Sequence, residues 1–250
     1  MTATGQPSAT RLFSRLDHLV VVADNLNQAA AWCEASLGVP AGPGGRHPLM
    51  GTHNLLLPIG GPAWPQAYLE MIAVDPAAAA LPAGGRSRWF DMDNPALRAA
   101  VRVTPRLVHL VAQTASLALA REALAALGED PGEPLFASRP GPRGELRWQI
   151  SVRHDGVPQH GGALPALIEW DASHPSSDMP PAGLSLLGLR LASDDAPALQ
   201  RALTAIGLVG VVAALPTTNR AGKHPAVGKP AIQARLATPK GEVVLRSLEY

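Results

Sequence analysis

The chain has 250 residues and a formal net charge of +1, and no cluster of Lys or Arg suggests a nucleic-acid or acidic-membrane surface. Its single cysteine excludes an intrachain disulfide framework and favours a reducing compartment, and no apolar stretch approaches the ~20 residues of a membrane span. We therefore expect a cytoplasmic protein without a nucleic-acid or membrane partner. The 24 glycines and 25 prolines favour short strands joined by turns over a helical bundle.

The chain begins with a small, polar segment, residues 1–14, which we expect to be a disordered tail. A first unit follows at residues 15–75. An apolar strand carries His18, and a helix from about Gln28 ends at Gly38, a residue typical of helix termini. A strand at about 52–58 and a strand that carries Glu70 complete a β-α-β-β-β order.

A linker, residues 76–104, joins this unit to a second unit at residues 105–172. The same plan recurs there. A strand at 107–112 carries His109 and precedes a helix at 117–127. A long strand at 145–153 alternates apolar and polar residues, and the last strand carries Glu169. An internal duplication is therefore predicted.

After a second linker, residues 173–183, a third, degenerate β-α-β-β-β unit is predicted at residues 184–250. Its loop Gly222–Gly228 repeats the Gly-basic-His-Pro pattern of Gly45–Gly51. Alignment on shared features places Gly188 opposite His18 and Ser247 opposite Glu70. The third unit thus keeps the plan without the polar pair, and we interpret it as a structural repeat.

The polar residues of the first two units form a doubled pattern. His18 and Glu70 are 52 residues apart (70 − 18), and His109 and Glu169 are 60 apart (169 − 109). A buried imidazole or carboxylate costs several kcal/mol unless it is paired. If they meet, the four side chains could bind a divalent metal through two nitrogen and two oxygen ligands. Alternatively, each glutamate is paired with an arginine or is exposed.

Paired units with a histidine on the first strand and a glutamate on the last resemble the vicinal oxygen chelate superfamily, and within it the glyoxalase-like domain family. The residues that carry the resemblance are Asp17-His18-Leu19-Val20, Gly45-Arg46-His47-Pro48, Gly51-Thr52-His53-Asn54, Tyr68-Leu69-Glu70 and Ile168-Glu169-Trp170-Asp171. The resemblance implies an α+β fold in which repeated β-α-β-β-β units form curled mixed sheets around a cavity. It also implies that His18, Glu70, His109 and Glu169 are metal ligands.

For function, the resemblance implies a metal-dependent lyase or isomerase that acts on a small oxygenated substrate. The metal would stabilise an enediolate, and Glu169 or Glu70 would remove the carbon-bound proton. Zn, Ni, Co, Mn and Fe are not distinguished, and a homodimer is a possible assembly. Two alternatives stay open: a metal-free binding or resistance protein, and a ring-cleaving dioxygenase with iron on His18, His109 and Glu169.

Four further residues are candidates for substrate binding. Two lie on the polar face of the second unit's long strand, which could be concave or could be a solvated outer face: Arg147 and Gln149. Two lie near the start of a strand and could point inward or belong to a turn: His53 and Asn54. The repeated turn motif favours a loop-stabilising role for His47 and His224.

Overall fold

A computed structural model describes residues 12–78, 82–171, 173–208, 210, 212–216 and 231–247. The first unit has the expected order, with these elements: β1 (Ser14–Val22), α1 (Leu26–Leu37), β2 (Gly42–His47), β3 (Thr52–Pro58) and β4 (Tyr68–Val74). Because β1 begins at Ser14, that residue belongs to the fold and not to the tail. Its hydroxyl donates to the Ile206 carbonyl at 2.7 Å. Residues 1–11 of the predicted tail lie outside the described residues.

Helix α1 forms where its ends are capped. The Asn25 side chain accepts a hydrogen bond from the Gln28 backbone N–H at 2.9 Å, and Gly38 adopts the left-handed conformation (φ 79°) that ends the helix. The helix buries Ala29, Cys33 and Leu37.

The second unit is preceded by a helix in the predicted linker and has the β-α-β-β-β order, with one strand whose position the sequence did not indicate. Its elements are α2 (Pro95–Val103), β5 (Arg106–Thr114), α3 (Leu117–Ala125), β6 (Glu133–Gly141), β7 (Gly144–Val152) and β8 (Ala166–Trp170). The unpredicted strand is β6, an edge strand that contains Pro134 and Pro140. Proline is tolerated at sheet edges, and it masks the strand signal.

The two units share one curled, nearly closed mixed sheet, with the strand order β2-β3-β4-β1-β5-β8-β7-β6. Within each unit the first and last strands are parallel, and β1 pairs antiparallel with β5 to join the units. The edge strands β2 and β6 contact each other. The predicted fold class, an α+β protein with curled mixed sheets, is confirmed.

The sheet separates two apolar cores. Alternate residues of β1 divide between them: Leu19 and Val21 face the helices, whereas Val20 and Val22 pack on the concave side with Trp148. This period of two is what a strand buried on both faces produces. Whether a side chain can join a site in the concavity therefore depends on its parity along the strand.

The third unit has the predicted order of elements and a different pairing. It consists of β9 (Ser185–Ser193), α4 (Ala196–Ala205), β10 (Val212–Pro216), β11 (Ile232–Thr238) and β12 (Gly241–Arg246). These strands form a separate sheet, β10-β9-β11-β12, in which β9 lies between β10 and β11. In the other two units the first strand pairs with the last. The third unit therefore does not extend the large sheet.

The third unit packs on the helix side of the large sheet. Leu186, Leu189 and Leu191 of β9 belong to the core cluster that also contains the helices α1 and α3. The repeated loop Gly222–Gly228 lies outside the described residues. In the part of the chain that is described, no helix is long and apolar enough to cross a bilayer.

Candidate active site

The site begins at an irregularity of β1. The pairing of β1 with β5 shifts register between Leu16 and His18, and Leu16 and Leu19, three residues apart, both lie in the helix-side core. A bulge of this kind re-aims side chains. Here it allows the adjacent Asp17 and His18 to contact each other, at 2.6 Å between Asp17 Oδ1 and His18 Nδ1.

Asp17 is buried and fully hydrogen-bonded. Its other oxygen, Oδ2, accepts from Trp170 Nε1 at 2.8 Å and lies 3.0 Å from His174 Nε2. Burial opposes the charged form, but the hydrogen bonds with His174 and His18 outweigh it and hold the pKa of Asp17 below its usual range. The Asp17 carboxylate thus binds His18 Nδ1, and this contact fixes the orientation of the imidazole with Nε2 towards Glu70.

Glu70 lies on the other side of His18. Its Oε2 is 3.4 Å from His18 Nε2, and its Oε1 accepts from Asn54 Nδ2 at 2.6 Å. Although burial acts in the opposite direction, contacts with Asp17 and Glu70 raise the pKa of His18 to about 9. Burial raises the pKa of Glu70, but its interactions with His18, His47 and Asn54 outweigh this effect and lower the pKa. The buried arrangement is therefore a carboxylate–imidazolium–carboxylate chain.

His47 and Tyr68 complete the polar end of the concavity. His47 Nδ1 lies 3.1 Å from Thr52 Oγ1, and burial lowers the pKa of His47 to about 4. The Tyr68 ring stacks on His18 with centroids 4.7 Å apart. His47, which the sequence assigned to a turn, therefore also lines the site.

The space beside Glu70 is small and adjoins a larger pocket. The inner cavity has about 30 Å³, room for about one water molecule. It shares Leu56, Arg139 and Pro175 with a neighbouring pocket of about 630 Å³. A substrate that reacts at Glu70 must therefore enter through the larger pocket and widen the inner cavity.

His109 is not available as a ligand to the same centre. Its Nδ1 donates to the Gly162 carbonyl at 2.9 Å, and its Nε2 accepts from the Ala166 N–H at 3.1 Å. Both ring nitrogens are thus bound to backbone. Burial lowers the pKa of His109 to about 4, so the ring is neutral at physiological pH.

Glu169 lies on the opposite face of the sheet from Glu70. Its neighbour Ile168 packs in the concave core, and its own Oε2 accepts from the Leu117 N–H, at the start of α3, at 2.6 Å. The strand register gives the reason. Val20 and Val111, each two residues after the histidine of its unit, pair with Glu70 and Ala166 respectively. The counterpart of Glu70 is therefore Ala166.

The substrate-binding candidates separate in the same way. Asn54 lies in the cavity beside Glu70. His53, the preceding residue, takes the opposite face of β3, as alternation requires. Gln149 shares the outer face with its pairing partner Glu169, and the Arg147 side chain is 64% exposed and ion-paired with Glu145. Arg147, Gln149 and His53 are thus not brought to His18 and Glu70.

The donor geometry does not fit the four-ligand metal centre that the sequence predicted. His109 is bound to backbone, and Glu169 faces α3, which leaves His18 and Glu70 together. The iron set of a dioxygenase, His18 with His109 and Glu169, is not assembled either. Elsewhere in the described ranges, no group of three or more His, Cys, Asp or Glu could hold a metal ion.

Besides His47 and Tyr68, sequence reasoning missed Asp17, His174 and Arg139 as residues of the site. Asp17 had a usable signal, since a carboxylate inside an apolar strand needs a partner. His174 comes from a linker and Arg139 from the unpredicted strand β6, so their approach depends on tertiary structure.

Residues 16–207 match the family model described as "Glyoxalase-like domain". The match covers more than half of the chain, and the chain therefore belongs to the glyoxalase-like domain family. The family predicted from the sequence is confirmed. No curated protein matches the chain.

Among solved structures, the chain is similar to a hypothetical protein from Staphylococcus aureus. The identity is 13% and the TM-score is 0.54, over 95% of this chain and 89% of that one. The chain is also similar to methylmalonyl-CoA epimerase from Streptomyces coelicolor (15% identity, TM-score 0.40, 65% and 98% coverage) and from Mycobacterium tuberculosis (15%, 0.37, 70% and 97%). The first of these likenesses supports the fold alone.

Proposed function

We propose that this protein is an enzyme of the lyase or isomerase type that moves a proton on carbon in a small oxygenated substrate. Glu70 is the base, and protonated His18 is its partner. The observation that carries the proposal is the buried Glu70 carboxylate, 3.4 Å from His18 Nε2 and next to a pocket of about 630 Å³.

The acid–base roles follow from the hydrogen bonds. With Nδ1–H donated to Asp17, His18 directs Nε2–H at Glu70. In this state Glu70 is a weak base, because His18 lowers its pKa. A substrate carbonyl oxygen that takes over the His18 hydrogen bond removes the hydrogen-bond part of this effect, while the charge of His18 remains. Glu70 then becomes more basic when the adjacent carbon is in place, and His18 and Asn54 can donate to the enolate oxygen.

A second candidate is a metal-free binding or resistance protein that uses the same concavity. The small inner cavity favours it, because about 30 Å³ beside Glu70 leaves no room for a reacting group unless side chains move. In that case ligands occupy the larger pocket, and Glu70 contributes charge without chemistry.

Proton exchange separates the two candidates. Purified protein in D₂O is mixed with hemithioacetals and 2-hydroxy-ketones, and the loss of the carbon-bound proton is followed by NMR. We expect exchange with the wild type and a loss of at least about 100-fold in Glu70→Gln. Glu169→Gln is the matched control, because this glutamate lies on the other face. Ligand binding without exchange, or full exchange in Glu70→Gln, would reject the enzymatic proposal.

A further inference from the structure

The larger pocket is a mostly apolar chamber beside the polar site. It has about 630 Å³, within the range of sites for drug-sized molecules, and is lined by residues of the edge strands β2 and β6 and of segment 175–182. Its walls are mainly proline and aliphatic side chains, for example those of Pro43, Pro58, Pro142, Pro180, Leu56 and Leu146. Such walls favour contact with the apolar part of a ligand over contact with its polar groups.

One cation stands at the junction of this pocket with the inner cavity. Arg139 lines both spaces and is partly buried. Its Nη1 donates to the carbonyl of its neighbour, Pro140, at 3.3 Å, and no carboxylate of the described residues lies within ion-pair distance. Burial lowers the pKa of Arg139, but a guanidinium stays charged in proteins.

The carboxylates near Arg139 are paired with other residues, so its guanidinium can bind an external anion. The other charged residue among the described walls of the pocket, Asp178, is ion-paired with Arg143. Glu70 attracts Arg139 at longer range, but its nearer contacts are His18 and Asn54. A partly desolvated guanidinium without a close partner is a strong site for a carboxylate or phosphate, which its planar fork can bind bidentately.

We propose that the pocket binds amphipathic organic acids, with the anionic head on Arg139 and the apolar body along the proline-rich walls. This rests on the proposed function, because it names the substrate class of the same site. The head, a carboxylate or a phosphate monoester, lies at the entrance to the inner cavity. Carbon atoms close to it are then the ones nearest to Glu70.

Calorimetry of the full chain with four probes tests the class: octanoate, octyl phosphate, octanol and acetate. We expect octanoate or octyl phosphate to bind at least about tenfold more tightly than octanol, which lacks the charge. The tighter of the two acids identifies the head. We expect a loss of similar size or larger for acetate, which lacks the chain. Equal binding of octanol and the acids, equal binding of acetate, or no binding of either acid would overturn the proposal.

The variant Arg139→Gln locates the anion. We expect it to lose on the order of tenfold in affinity for the tighter acid and none for octanol. Arg147→Gln, an arginine on the outer face, should bind as the wild type does. Unchanged affinity in Arg139→Gln contradicts the assignment. Circular dichroism checks folding, and if this variant does not fold, the probe series on the wild type decides.

The same experiment distinguishes this inference from the proton-transfer function. Glu70→Gln should keep or increase the affinity for the acids, because it removes a nearby negative charge, even though it loses exchange. Binding that depends on Arg139 without any exchange would reject the enzyme and keep the pocket. Proton exchange without a preference for acids in the binding series would keep the proposed enzyme and reject the proposed acid-binding pocket.

Discussion

The two β-α-β-β-β units of the large sheet share a plan and an inward histidine, yet they treat that histidine differently. In the first unit Asp17 precedes it and Glu70 faces it, so His18 is held between two carboxylates. In the second unit, Val108 and Ala166 take the corresponding places, and His109 bonds to backbone. The two units share the backbone plan, but only the first unit supplies carboxylates beside its histidine and so forms the carboxylate–imidazolium–carboxylate arrangement.

The sharpest way to break this comparison is to change the glutamate of each unit. We expect Glu70→Gln to reduce proton exchange by about 10²- to 10⁴-fold, because it removes the base. We expect Glu169→Gln to retain it, because that side chain binds the α3 terminus. Exchange rates under identical conditions measure both variants. A large loss of proton exchange in Glu169→Gln would contradict this comparison and give the second unit a catalytic role.

Substitution of Asp17 tests how much its hydrogen-bond network stabilises the first unit. Asp17→Asn removes a buried charge that three partners contact, and we expect about 3–5 kcal/mol lower free energy of unfolding in urea. Asp24→Asn, an exposed change just after the same strand, is the control and should cost little. If the two variants are equally stable, the network contributes no stability.

The buried histidine of the second unit should affect stability in acid, in the same pH window as His47 of the first unit, whose pKa is also lowered to about 4. His109 has its folded pKa lowered from 6.5 to about 4, so the unfolded chain binds this proton first. Its contribution to stability is complete above pH 6.5 and is lost as pH falls towards 4. It amounts to on the order of 3 kcal/mol. His109→Gln should flatten the pH dependence of the unfolding free energy in this window. An unchanged slope would show that His109 does not titrate as described.

The smallest effect is expected at the start of α3. Glu169 accepts from the Leu117 N–H at 2.6 Å, a contact of the kind that caps helices. Glu169→Gln should lower the free energy of unfolding by about 1 kcal/mol, measured by urea denaturation. A much larger loss would indicate a buried charge with further partners.

Apolar runs were sufficient to predict the strands that carry the four polar residues, and the internal repeat together with the family resemblance was sufficient for the fold class. They did not fix the strand register. Glu70 and Glu169 both follow an apolar pair in the last strand of their unit, but a shift of one residue moves a side chain to the other face. Ala166 carried no sign that it takes the place of Glu70.

Strand β6 was missed because its prolines and polar residues lack a strand pattern, and with it Arg139. Asp17 lies in the first strand, whereas its partners lie at the end of the second unit and beyond it, Trp170 in β8 and His174 in the following linker. Contacts separated by more than 150 residues are set by how the sheet curls, which local spacing does not encode.

NMR titration of the imidazole nitrogens of His18 and His109 tests the difference between the two units most directly. We expect His18 to be protonated at pH 7, with a pKa of about 9, and His109 to be neutral, with its proton on Nδ1 and a pKa of about 4. Similar titration of both rings, or a joint shift of both on addition of Zn²⁺, would contradict the asymmetry and favour one shared metal centre.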